Sequence, residues 1–364
     1  MTTHSPVLRA VAEIRFADEL QKLRDNDTYK RPENWQLSPQ AVRSFVIGDK
    51  KLGISKKFFG DDPLVERCIV TLMGHQGLML VGDPGTAKSL LSELFAAAIS
   101  GNSSLSVQGT AGTTEDHIRY AWNYALLLAE GPSARALVPS PVYRAMEQGK
   151  LVRFEEITRC APEIQDVLIS LMSDKHLVIP ELGEAARLDA QRGFNIIATA
   201  NLRDRGVHEM SSALKRRFNF ETVKPIKDAA FEAQLIQQQV ERNLTDCDLQ
   251  VAIEPDLLHL LATCFQELRA GQSAEGTPLK TPDAVMSTAE AVNLTFAACL
   301  EACHFGDGKL SARELARQLQ GVILKDNPDD IKRVTHYVET VVRERARNNK
   351  HWKQFHETAR ELWN

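Results

Sequence analysis

From residue 78 onward, short apolar runs alternate with helical stretches. Leu78-Met79-Leu80-Val81 is closed by a glycine, and the weaker run 105–108 is closed by Gly109. The runs 151–154 and 194–198 follow, and Phe218-Asn219-Phe220-Glu221 alternates apolar and polar positions. Short apolar strands separated by helices predict a parallel α/β sheet covered on both faces. After Pro225 the strands stop. Helices are predicted over 228–244, 255–268, 282–303, 311–322 and 328–346, with Pro255, Pro282 and Pro328 in the first turn, where proline is tolerated. A short amphipathic helix over 350–364 closes the chain. Upstream, Val11, Ile14, Leu20 and Leu23 predict one helix with those side chains inward, and the rest of the first 36 residues reads as an arm or cap. Ser38-Pro39 marks a helix start, with Ser38 as N-cap. Asp62-Pro63 opens another helix, with Leu64, Cys68 and Leu72 on one face. The expected layout is an N-terminal extension (1–36), an α/β core (37–225) and a helical region (226–364).

Composition acts on this picture by exclusion. The 364 residues carry 44 Lys plus Arg against 48 Asp plus Glu, a net charge of −4. The length leaves room for two or three domains. No apolar run reaches the roughly 18 residues of a membrane helix, and residues 1–6 lack a basic-then-apolar leader pattern. Six cysteines are too sparse for a disulfide framework, so a reducing cytoplasm is the expected home. The charge balance and the lack of a basic insertion count against a nucleic-acid partner.

Gly82-Asp83-Pro84-Gly85-Thr86-Ala87-Lys88-Ser89 follows the first strand and opens a helix, close to the phosphate-binding pattern G-x-x-x-x-G-K-[ST]. Backbone N–H groups at such a helix start aim at phosphate oxygens. Lys88 is expected to reach the β and γ phosphates of a nucleotide such as ATP, and the Ser89 hydroxyl to ligate Mg²⁺. Ala87 stands where the pattern has glycine, which is tolerable only if its φ is negative. The strand 151–154 runs into Glu155-Glu156. An ATP-hydrolysing site needs one acid for the metal, assigned to Glu155, and one for the attacking water, assigned to Glu156. Adjacent strand residues point to opposite faces, so both serve one site only if the chain kinks. Asn201 ends the next strand, where its amide can bond the γ-phosphate and the water. Arg216 and Arg217 close the stretch Ala213-Leu214-Lys215-Arg216-Arg217-Phe218, either as a basic helix end or as an arginine finger acting on a neighbouring subunit. Arg217 is the first choice and Arg216 the alternative.

In this order the motifs resemble the AAA+ ATPases and, within them, the MoxR-type branch, whose acidic pair is followed by an arginine like Arg159. The resemblance covers about 37–225 well and the helical region in outline. It implies an α/β core with a five-stranded parallel sheet, a C-terminal helical lid, ATP and Mg²⁺ as cofactors, and a hexameric ring with sites between subunits. It also implies insertions within about 110–140 and 173–193, the second a possible β-hairpin. The function it implies is an ATP-driven remodelling chaperone or maturation factor acting on a protein partner, often one with a von Willebrand A domain. A nucleic-acid motor (ATPase or GTPase) and a non-hydrolysing ATP-dependent scaffold are the alternatives. The lid arginine that touches the γ-phosphate in many relatives has no counterpart in Thr281-Pro282-Asp283-Ala284-Val285. Lys280 is near, but Asp283 repels phosphate, so no second sensor is assigned. Cys299 and Cys303 read as core thiols, residues 304–309 as a turn, Arg343, Arg345 and Arg347 as a solvated face, and Trp122 and Tyr124 as packing residues of the first insertion.

Overall fold

The apolar runs form the strands they predict. The computed structural model describes residues 9–201, 206–324 and 327–363, so the leader reading of residues 1–6 and Asn364 of the last predicted helix lie outside it. The strands are β1 (Gly77–Val81), β2 (Ser106–Gln108), β3 (Tyr120–Trp122), β4 (Leu137–Pro139), β5 (Leu151–Glu155), β6 (His176–Val178), β7 (Arg187–Asp189), β8 (Asn195–Ala200) and β9 (Phe218–Thr222). Five of them make one sheet in the order β2-β5-β8-β1-β9, with every pairing parallel. From β1 the chain crosses to the far edge, returns through β5 and β8, and places β9 on the other side of β1. The carboxyl ends around such a reversal form the crevice in which α/β sheets hold ligands.

Alternate residues of one strand enter different cores. Leu78 and Leu80 pack with Leu20, Phe45 and Phe95 on one face, while Met79 and Val81 pack with Phe154 and Phe218 on the other. That double covering is why β1 is apolar throughout rather than alternating, and why every residue of β8 is buried. The described residues form two compact units, those up to 83 with those of 87–224, and 84–86 with those from 225 on.

Near the N-terminus the single predicted helix is two, Ala12–Arg15 and Ala17–Asn26. The break at Phe16 (φ −115°, ψ 28°) resets the helical phase, so Leu20 and Leu23 are buried but Ile14 is 67% exposed rather than inward. Ser38 caps its helix as expected, accepting from the Ala41 N–H. β3 and β4 pair antiparallel around the helix Tyr124–Glu130 in the first insertion, and β6 and β7 form a hairpin in the second. Tyr124 is 72% exposed and so is not a packing residue, since that seven-residue helix buries none of its side chains.

The second unit is helical among its described residues. Its core joins Leu257, Leu261, Phe265, Leu294, Leu315 and Phe355. The helix expected from Pro282 starts only at Thr288. The Asp330 carboxylate accepts the N–H groups of Asp283 (2.9 Å) and Ala284 (2.7 Å), which holds that stretch out of a helix. Ser287 and Glu290 then form a capping box. The helix expected over 328–346 runs as Asp329–Tyr337, a π-helical stretch Val338–Val342 and a last turn Arg343–Arg345. Arg345 leaves the solvated face assigned to it: it is largely buried, pairs with Glu267 and Glu275, both at 2.7 Å, and stacks on Trp352.

Candidate active site

The phosphate loop leaves β1 and enters the helix Lys88–Ser100. Gly85 takes a left-handed φ of 72°, which glycine adopts without strain. Ala87 does so too, at φ 67°, against the expectation of a negative value. Its carbonyl accepts the first helical bond from the Leu91 N–H at 2.9 Å, and the residue is exposed. Ala87→Gly is therefore expected to stabilise the first unit by about 1 kcal/mol while leaving nucleotide affinity in place, read from the urea midpoint and a binding titration. An unchanged or lower midpoint would count against strain at Ala87. Lys88 is 7% exposed, and its ammonium donates to the carbonyls of Gly82 (2.9 Å) and Asp83 (2.8 Å).

The acidic strand end lies against this helix. Glu155, 7% exposed at the last position of β5, accepts four donors. Ser89 Oγ (2.7 Å) and Thr199 Oγ1 (2.8 Å) bond Oε2, and Ser92 Oγ (2.7 Å) and Arg153 (2.8 Å) bond Oε1. Burial pushes the carboxyl pKa up, but the Arg153 charge and the three hydroxyls outweigh it and hold the group below its usual value. Glu156 takes a left-handed backbone (φ 54°, ψ 45°) that costs a non-glycine residue about 1–2 kcal/mol. This is the kink that a shared role for adjacent carboxylates requires. Thr199 ties the two together: while donating to Glu155 it accepts the Glu156 N–H at 3.0 Å. Arg159 lies 3.8 Å from the Glu156 carboxylate.

Asn201 follows β8 two positions beyond Thr199. It is 2% exposed, and its Oδ1 finds no hydrogen bond among the described residues. A buried amide oxygen left unbonded is costly, so a ligand or water bonded there would be stabilised.

The arginines are elsewhere. The Arg217 carbonyl accepts from Gly77 N–H, and Phe218 pairs with Gly77 at the start of β1. Arg216 and Arg217 thus sit at the end of the sheet opposite the phosphate loop, about 13 Å away along a five-residue strand. The Arg217 guanidinium donates to Ser173 Oγ (3.0 Å) and the Ala213 carbonyl (2.7 Å). Arg216 is exposed, and its guanidinium makes no hydrogen bond or ion pair among the described residues.

Four residues of this site were not singled out from the sequence. Arg153 lies two positions before Glu155 on one strand, and Thr199 two before Asn201, so period-two alternation places each pair on one face. Ser92 is one helical turn from Ser89. Gly109 carries no such signal: its N–H donates to the Glu155 carbonyl (2.7 Å), and a Cβ there would come 2.4 Å from the Glu156 carbonyl oxygen.

Comparisons with known proteins agree with this geometry. Residues 77–218 match the AAA domain of the dynein-related subfamily, and residues 230–363 match the C-terminal domain of YehL-like AAA+ ATPases. The chain is 48% identical to the uncharacterised protein YehL of Escherichia coli (strain K12) over 355 residues, 97% of each chain. The chain belongs to the YehL-like AAA+ ATPase family. It is also 24% identical to YojN of Bacillus subtilis (strain 168) over 236 residues, 60% of this chain and 74% of that protein. Among solved structures, NtrX from Brucella abortus in complex with ATP superposes with a TM-score of 0.50 at 12% identity, covering 85% of this chain and 69% of that one, a likeness of fold. The AAA+ resemblance thus holds at the level of the YehL-like family. No helix among the described residues is long and apolar enough to cross a membrane.

Proposed function

We propose that this YehL-like chain binds ATP with Mg²⁺ and hydrolyses it at a site completed by a second subunit. The observation that carries the reading is the 2.7 Å bond between Ser89 Oγ and Glu155 Oε2, with the unbonded Asn201 Oδ1 at the end of the adjoining strand. A serine oxygen and a carboxylate oxygen side by side suit Mg²⁺, a hard cation that takes one or two protein oxygens and completes its shell with phosphates and water. When bound, the ion draws charge from the phosphoryl oxygens. The loop residues Gly82, Asp83, Pro84, Gly85, Thr86 and Ala87 present backbone to the phosphates, and Lys88 turns its ammonium from two loop carbonyls to the β and γ phosphates. Glu156, at the kink, orients the attacking water and takes its proton. Asn201 bonds that water and the γ-phosphate.

In this reading residues 37–225 are the ATP-binding core, 226–364 its lid and 1–36 an extension. On the same reading the subunits form a hexameric ring of MoxR type that works in the cytoplasm on a protein client such as one with a von Willebrand A domain. Asp283 pairs with Arg333 (2.8 Å) and accepts from Asn327 (2.7 Å), and no second sensor is assigned in the lid.

Arg217 and Arg216 stand at the far end of the sheet from their own phosphate loop, which supports a role for one of them at a neighbouring subunit's. Arg217→Ala should bind ATP almost normally and hydrolyse it at least about tenfold more slowly, a modest share of what a finger supplied in trans can give. Mixing it with Lys88→Ala should restore part of the activity, because mixed rings contain interfaces with one intact loop facing one intact arginine. Arg216→Ala is the parallel experiment, and the larger loss identifies the finger. Full turnover in both variants, or turnover independent of protein concentration in a proven monomer, would overturn the shared site.

A further inference from the structure

We propose that Arg153, together with Ser92, is a positioning residue that lets a glutamate take the metal-binding place at the end of β5, where aspartate is usual, and so sets how tightly the chain takes up Mg²⁺ with its nucleotide. The inference rests on the Mg²⁺ role proposed for Ser89 and Glu155.

Glutamate has one more methylene than aspartate and one more rotor, so its carboxylate has more positions to occupy. Here the two oxygens are divided. Oε1 is held by Arg153 (2.8 Å) and Ser92 (2.7 Å), which leaves Oε2 on Ser89 and Thr199. Arg153 is itself fixed: it donates to Ser92 Oγ (3.0 Å), the Ser103 carbonyl (3.1 Å) and the Ser89 carbonyl (3.3 Å). The guanidinium therefore joins the carboxylate to the first turn of the phosphate-loop helix, the turn that carries Ser89. Partners that orient a metal-binding carboxylate are worth 10–100-fold in metal affinity elsewhere. An aspartate, about 1.5 Å shorter, cannot span Ser89 and Arg153 together.

Opposite signs separate positioning from charge. If Arg153 acted only by its charge, its removal would tighten Mg²⁺ binding, since a cation beside the ligand repels the ion. If it positions Glu155, removal weakens Mg²⁺ binding, and only while residue 155 is glutamate. The test titrates Mg²⁺ against the affinity of the full chain for a fluorescent, non-hydrolysable ATP analogue, with circular dichroism as the control for folding. Arg153→Met should raise the half-saturating Mg²⁺ concentration about tenfold, and Ser92→Ala a few-fold in the same direction. In a Glu155→Asp background the same substitutions should shift it less than about twofold, since the shorter carboxylate has already lost the contact. Equal shifts in both backgrounds, or a lower Mg²⁺ requirement in Arg153→Met, would overturn the proposal. If Arg153→Met fails to fold, Ser92→Ala in the two backgrounds decides by the same criterion. A wild-type chain whose nucleotide affinity ignores Mg²⁺ would instead overturn the metal role of Glu155 itself, a distinct outcome.

Discussion

Lys88→Ala is expected to weaken ATP binding by at least about a hundredfold while leaving the fold in place. A hydrogen bond to a charged group is worth about 1.5–3 kcal/mol, and on the proposed reading the ammonium of Lys88 bonds two phosphates, so losing two such bonds accounts for a hundredfold loss. Lys88 is the first residue of its helix, and its buried ammonium donates to two carbonyls of the loop. Removing it leaves the Gly82 and Asp83 carbonyls without that donor, a local loss in a loop that water can reach. Binding of a fluorescent ATP analogue measured alongside circular dichroism checks both halves. Unchanged affinity in a folded variant would remove the phosphate-loop reading.

Glu156→Gln should bind nucleotide and Mg²⁺ as the wild type does and turn over at least about a hundredfold more slowly, the size of a lost general base. Glutamine keeps the length and the left-handed backbone of the position but cannot accept the proton from water. Glu155→Gln should behave differently. It leaves the Arg153 guanidinium without its counter-charge, so the variant should lose stability and need more Mg²⁺. Steady-state turnover and a Mg²⁺ titration on both variants distinguish the two carboxylates. An exchange of phenotypes would reverse their assignment.

The legible parts of the site were those with local causes. Gly82 to Ser89 between a strand and a helix is a contiguous pattern, and the backbone geometry it needs is set by neighbours in the chain. The apolar run of β1 could be read as a buried parallel strand because both its faces are covered. Errors arose where a distant group outweighed a local preference. Pro282 is an acceptable first helical residue, but Asp330, 48 positions further on, takes the N–H groups of Asp283 and Ala284. Arg345 looks like any basic helix end until Glu267 and Glu275 are brought to it. The local steric preference of Ala87 is for a negative φ, yet the loop holds it at φ 67°.

By itself the sequence determined that the chain alternates strand and helix up to about residue 224, that a phosphate loop follows its first sheet strand, and that two adjacent carboxylates end another. These follow from periodicity and from short motifs, whose physics is confined to a few successive residues. Only the tertiary structure decided that Glu155 meets Ser89, that Glu156 turns through a left-handed kink, that Arg153 and Ser92 hold the first carboxylate, and that Arg216 and Arg217 stand at the far end of the sheet. Each depends on strand order and register, which bring together residues 40 to 140 positions apart, and no local periodicity encodes such pairings.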